Sequence, residues 1–197
     1  RALGRGDREK QGPLTAATGC TVGSITKQFT GAAVMTLVMD GKLQLHDTLD
    51  KFFDGVPSHK RSITIHHLLT HTAGMPDALG DDFDTGATKT WMLNEAFNFQ
   101  LLHPPGEKHV YSNTGYALLA AIIEEVTGQR YEEYLRERLF EPVKMFDTGI
   151  MLPAYDAERL SSGYEGKSRW GTIHDKPMLD DGPTWNLLGG GGIHSTV

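Results

Sequence analysis

The sequence holds a single cysteine, Cys20, so no disulfide can close within the chain. A lone cysteine reads as a small buried residue before it reads as a reactive thiol. No stretch approaches the roughly 18 uninterrupted apolar residues of a membrane span. Lysine and arginine total 19 against 25 aspartates and glutamates, and the net charge is -6. The basic residues are scattered without a run, which removes the footprint that nucleic-acid binding requires. No internal repeat is present. Neither an initiating methionine nor a signal peptide precedes Arg1, so the sequence reads as a processed or excised piece whose compartment is unreadable. The run Gly189-Gly-Gly-Gly192 lacks the following Lys-Ser/Thr of a phosphate loop and reads as close backbone packing or a hinge.

What is present suits a globular domain. The 197 residues are 39% hydrophobic and 22% charged, enough to bury a sizeable core in one domain or two small lobes. The organising stretch runs over residues 21–41. From Ile25 to Met39 apolar residues fall on nearly every side, which predicts a helix packed on most of its circumference, stopped by Asp40-Gly41. Ser24 stands at its start and Lys27 one turn on, close enough for an amine to reach a hydroxyl. The free N–H groups of a first turn favour negative charge developing at Ser24 during acyl transfer. A lysine serves as base where desolvation, here against Phe29 and Ala32, lowers its pKa toward working pH. Ser-x-x-Lys is also common by chance; in that plainer reading Ser24 is an N-cap and Lys27 a solvated residue.

Further along, residues 42–46 alternate apolar and polar, and 47–53 read as a short capped helix. Thr64 caps a helix over 65–73, on which His67 and His71 share a face. That spacing could hold zinc, but the glutamate of His-Glu-x-x-His is missing and no third ligand is near, so structural hydrogen bonds are the stronger reading. Residues 78–86 form an acidic loop, read as solvated surface, and 89–102 resume helical spacing. Tyr111-Ser-Asn113 runs extended, with Tyr111 and Asn113 on one side, into a helix over 115–126 capped by Thr114. A phenol there could shuttle protons and an amide could orient a lysine and a substrate carbonyl, although Tyr-x-Asn alone is a common triplet. The next helix, 131–140, places Tyr131, Tyr134, Leu135, Leu139 and Phe140 inward and Glu132, Glu133, Arg136 and Glu137 outward. A strand is expected around Ala2 to Arg5, and glycine-rich strands and loops beyond Met151.

Together, Gly23-Ser-Ile-Thr-Lys-Gln-Phe, Leu68-Leu-Thr-His-Thr-Ala-Gly-Met-Pro, Pro105-Gly with Tyr111-Ser-Asn, and Gly-Gly-Gly-Ile-His-Ser-Thr near the C-terminus resemble the serine β-lactamase-related family over nearly the whole chain. That family groups class C β-lactamases, D-alanyl-D-alanine carboxypeptidases, D-stereospecific aminopeptidases and family VIII carboxylesterases. The resemblance implies an α/β two-lobe fold of β-lactamase/transpeptidase type, helix-rich here because most strands of the family's antiparallel sheet are missing. It implies one incomplete domain over 1–197: a lead-in to residue 23, a helical lobe over 24–150 and a glycine-rich region over 151–197. Ser24 would be the acylated nucleophile, Lys27 its base partner, Tyr111 a proton shuttle and Asn113 a substrate-orienting amide. The Ser24 N–H would form half an oxyanion hole.

The family's third motif, Lys-Thr-Gly or His-x-Gly, is expected beyond Val197, since no Lys-Thr-Gly occurs in the chain. The expectation is a truncated serine hydrolase acting on a small-molecule ester, β-lactam or D-amino-acid peptide. No metal and no organic cofactor is implied, and oligomeric state is left open. A tyrosine heading the second motif favours the class C and esterase branch, and the resemblance is compatible with a periplasmic or secreted protein. The rival readings are a non-catalytic ligand- or partner-binding protein with a degenerate β-lactamase fold, and a zinc enzyme using His67 and His71.

Overall fold

The structure, a computed structural model, describes residues 4–9, 12–154, 156–180 and 182–196. The expected strand near the start lies partly outside them: Ala2 and Leu3 are not described, and Arg5 makes only an isolated antiparallel bridge to Pro13.

Helix α4 (Asn113–Thr127) is the centre of the core. Thr114 to Ile123 are buried without interruption, and Leu118 to Ile123 have no exposed surface. Full burial of each of its large aliphatic side chains contributes about 1.5–3 kcal/mol. Around it pack α1 (Thr26–Met39), α2 (Ile65–Leu69), α3 (Lys89–Asn98) and α5 (Tyr131–Leu135). The left-handed Gly128 (φ 68°) ends α4, where a side chain would be strained.

This corrects the expectation for α1. The helix enclosed on all sides is α4, whereas α1 buries one stripe: Thr26, Lys27, Thr30, Ala33, Val34 and Leu37. Ile25, Met35 and Met39 lie outside that stripe and are exposed. Thr26 and Thr30 are fully buried in their stead. Thr30 Oγ1 bridges Tyr131 Oη and the Gly189 carbonyl, each at 2.7 Å, so the polar atom is satisfied.

Other elements are shorter than their periodicity suggests. The 65–73 helix stops at Leu69 and the 89–102 helix at Asn98, while 42–46 is irregular. After Leu135 the chain continues as a wider π-type turn over Arg136–Phe140. Glu132, expected outward, is buried, and its Oε1 accepts the N–H groups of Ile150, Met151 and Leu152 at 2.5, 2.7 and 2.8 Å.

Strands are few among the described residues. β1 (Cys20–Thr21) pairs antiparallel with β4 (His194–Ser195), Thr21 opposite His194, and Gly149 bridges His194 from the other side. β2 (Gly163–Glu165) and β3 (Ser168–Gly171) form a hairpin. Asp7 ties the N-terminal segment to it, accepting from Ser162 Oγ at 2.7 Å and Tyr164 Oη at 2.9 Å. Cys20 is half-buried instead of fully buried.

Candidate active site

Ser24 is delivered by β1. The β1–β4 pairing and the Val22 N–H to the Ile193 carbonyl (2.9 Å) fix the strand, and left-handed Gly23 (φ 52°) turns the chain into the first helical turn. Ser24 is exposed there, in a short 3-10 turn in which the Ile25 N–H donates to the Val22 carbonyl at 3.1 Å. Lys27 follows one turn later on the buried stripe. Its Nζ donates to Asn113 Oδ1 at 2.6 Å, the Gly190 carbonyl at 2.8 Å and Ser24 Oγ at 3.4 Å. Three acceptors match the three N–H donors of an ammonium. The same nitrogen lies 4.7 Å from the ring centroid of Tyr111 and 5.5 Å from that of Tyr116.

Tyr111 Oη donates to Ser24 Oγ at 2.7 Å. All four residues singled out in the sequence therefore meet in one network. Ser112, not Thr114, caps α4: its Oγ accepts from the Gly115 N–H at 2.9 Å and donates to the Pro76 carbonyl at 2.6 Å. Asn113 thus becomes the first helical residue. Asp77 orients it, the carboxylate accepting from Asn113 Nδ2 at 2.9 Å and the backbone carbonyl from Asn113 N–H at 2.8 Å. That bond leaves Oδ1 facing Lys27.

His71 does not share a helix face with His67, because α2 has ended and His71 is left-handed (φ 57°). Its Nδ1 accepts from the Ser112 N–H at 3.1 Å, and its ring lies between those of Tyr111 and Tyr116 at 4.6 and 5.0 Å. Burial, then His109 and Lys27, hold its pKa below the usual histidine value. His67 closes a capping box, its Nδ1 accepting from the Thr64 N–H. No group of three metal-ligating residues occurs among the described residues.

The glycine run closes the site. A Cβ at Gly189 would lie 2.2 Å from the Tyr116 carbonyl oxygen, so this backbone packs directly on α4. A Cβ at Gly190 would lie 3.0 Å from Asn113 Oδ1 and 3.3 Å from Lys27 Nζ. Close backbone packing was the legible part; the Gly190 carbonyl as a partner of Lys27 was not.

Ser24, Asn113 and Gly190 line a cleft of about 430 Å³ together with Asp82, Phe83 and Trp170. The acidic loop over 78–86 is therefore more than solvated surface, since Asp82 lines the cleft; Asp77, which holds Asn113, lies just before it. Partial burial and neighbouring Asp81 raise the Asp82 pKa above the ordinary carboxylate value.

A family model described as β-lactamase matches residues 1–197. Protein flp of Staphylococcus aureus strain MW2 is 32% identical over 173 residues, covering 84% of this chain and 34% of that protein. Penicillin-binding protein 4* of Bacillus subtilis strain 168 is 30% identical over 166 residues, covering 81% of this chain and 36% of that protein. The crystal structure of β-lactamase/D-alanine carboxypeptidase from Yersinia pestis complexed with citrate is similar over 100% of this chain and 55% of that one, at 30% identity and a TM-score of 0.80. The chain thus spans about a third of the length of these curated relatives.

Proposed function

The chain belongs to the β-lactamase family, and on that premise we propose that it is a serine hydrolase that cleaves an ester or amide through an acyl-enzyme on Ser24. The observation that carries this is the position of Ser24 Oγ, 2.7 Å from Tyr111 Oη and 3.4 Å from Lys27 Nζ, at the mouth of a cleft. Ser24 Oγ attacks the substrate carbonyl carbon. Its proton passes to the Tyr111 oxygen as the Tyr111 hydroxyl proton passes to Lys27 Nζ, which accepts it as the free amine and so acts as the base partner. Tyr111 then returns the proton to the departing alcohol or amine as the acyl bond to Oγ is completed. Water opens the ester in a second step along the same proton path. The Ser24 N–H, in the first turn, serves as one donor to the oxyanion. Asn113, held by Asp77, keeps Lys27 in place and presents its amide to the substrate.

The test is intact mass after incubation with a fluorophosphonate. Wild type is expected to gain one adduct and Ser24→Ala none. An unlabelled wild type, or a variant labelled equally, overturns the assignment of Ser24.

A further inference from the structure

The carbonyls of Gly189 and Gly190 lie beside the Ser24 network, and among the described residues no backbone N–H donates to either. Each is met instead by a side chain of the buried α1 stripe. Thr30 Oγ1 donates to the Gly189 carbonyl at 2.7 Å, and Lys27 Nζ to the Gly190 carbonyl at 2.8 Å. Glycine brings no side-chain packing and a wide choice of φ and ψ, so bonds of this kind set the plane of the peptide that joins the two residues. The Thr30 hydroxyl has one proton to give. That proton goes to Gly189, so toward Tyr131 Oη, also at 2.7 Å, Thr30 accepts and the phenol donates. Burial pushes the Tyr131 phenol up from its ordinary value, which keeps this donor protonated. The bonds therefore run in one direction, from Tyr131 on α5 through Thr30 on α1 to the Gly189 carbonyl, with both side chains buried.

The next carbonyl along is the one that orients Lys27. A free amine has two N–H donors and one lone pair. The short bonds of Lys27 Nζ, 2.6 Å to Asn113 Oδ1 and 2.8 Å to the Gly190 carbonyl, use both donors and leave the lone pair for the side on which Ser24 Oγ lies at 3.4 Å. Asp77 fixes the first of these acceptors through Asn113 Nδ2. The second has no such partner of its own and depends on how the peptide after Gly189 is turned.

Building on the serine-hydrolase reading, we propose that Thr30 and Tyr131 are positioning residues for the reaction: through the Gly189–Gly190 peptide they aim the amine of Lys27 at Ser24. A second threonine–tyrosine pair between the same two helices provides the contrast. Thr36 Oγ1 lies 3.0 Å from Tyr134 Oη, but it donates to the Ala33 carbonyl of α1 itself at 2.7 Å and makes no bond to the glycine run.

The experiment measures the rate of Ser24 labelling by a fluorophosphonate on the full chain, together with urea midpoints. Thr30→Val is expected to slow labelling about tenfold through the misplaced amine. Thr30→Ser, which restores the hydroxyl, should recover most of that loss. Thr36→Val removes the matching bonds away from the site, so it should lower the urea midpoint while labelling stays within about twofold of wild type. In Lys27→Met nothing is left to aim, and adding Thr30→Val there should change the remaining rate by less than about twofold. Tyr131→Phe decides the matter if Thr30→Val does not fold. It lets the Thr30 proton turn to the Thr26 carbonyl, 3.4 Å away, and should slow labelling about threefold. A folded Thr30→Val or a Tyr131→Phe labelled at the wild-type rate, no recovery in Thr30→Ser, or a full tenfold loss in the Lys27→Met background overturns the positioning role alone. A wild type that takes no adduct overturns both this role and the serine-hydrolase reading.

Discussion

The imidazole of His71 lies nearly face to face with the phenol of Tyr111, ring centroids 4.6 Å apart at an interplanar angle of 31°. The same imidazole accepts the N–H of Ser112, the residue between Tyr111 and Asn113. One side chain therefore sets both the ring plane of Tyr111 and the turn that starts α4. Because Nδ1 is an acceptor, the ring must be the neutral tautomer with its proton on Nε2.

That requirement gives a pH dependence. The folded pKa of His71 is depressed, so its contribution is present above the unfolded value of 6.5 and is lost as pH falls through the lower folded value. Protonation would remove the Ser112 bond and set a cation beside Lys27. His71→Asn keeps an acceptor, tolerates φ 57° and cannot titrate. It is expected to lose the part of the acid limb of kcat/KM due to this group, whereas His71→Leu should lower kcat/KM about tenfold at pH 8. Profiles from pH 5 to 8 decide; an unchanged limb in both variants would remove His71 from the site's support.

Lys27→Met separates chemistry from folding. It leaves Asn113 Oδ1 and the Gly190 carbonyl without their donor, a cost of about 1–3 kcal/mol for buried polar groups. Loss of the base partner should slow fluorophosphonate labelling of Ser24 by about 10²–10⁴. Urea midpoints and labelling rates measured together test this. A folded variant labelled at the wild-type rate would refute the role of Lys27.

The glycines at 189 and 190 should fail in different ways. Gly189 is left-handed (φ 75°), and an added Cβ would lie 2.2 Å from the Tyr116 carbonyl oxygen. Gly189→Ala should therefore destabilise the whole fold by about 2–4 kcal/mol, combining backbone strain with overpacking. At Gly190 the contacts are Asn113 Oδ1 and Lys27 Nζ, so Gly190→Ala displaces the two side chains joined to Ser24 in the network, and backbone strain is not involved. Labelling there should slow about tenfold with a stability change near 1 kcal/mol. Equal stability losses in the two variants would refute this division.

Local spacing made two pairs legible, one helical turn joining Ser24 to Lys27 and two residues joining Tyr111 to Asn113; that the two pairs belong to one site came from the family resemblance, because each pattern alone is common. Their supports were not legible, because they act across the chain. Asp77 reaches Asn113 from 36 positions away and Gly190 reaches Lys27 from 163. Periodicity also misassigned α1, since Ile25, Met35 and Met39 satisfy an apolar pattern yet lie outside the packed stripe. Glu132 read as outward-facing together with Glu133, Arg136 and Glu137. Only the fold brings three backbone N–H groups to it, and the pairing that makes its burial tolerable is invisible in sequence.

His194 offers a separate measure of the strand region behind the site. It is fully buried on β4, its ring 5.4 Å from that of His174, and its pKa is depressed to about 4 by burial and then by His174. A depressed histidine is neutral in the fold, so below pH 6.5 the unfolded chain takes up a proton that the folded chain refuses. Its contribution is therefore fully present above 6.5 and is lost as pH falls through about 4, by roughly 3 kcal/mol over that window. Urea unfolding between pH 7 and 4 should show this slope, and His194→Phe, which cannot titrate, should flatten it even if its stability at pH 7 is lower. Because β4 pairs with the strand that delivers Ser24, labelling of Ser24 should decline over the same pH range in wild type. Retention of the full stability slope in His194→Phe would place the acid sensitivity elsewhere in the fold.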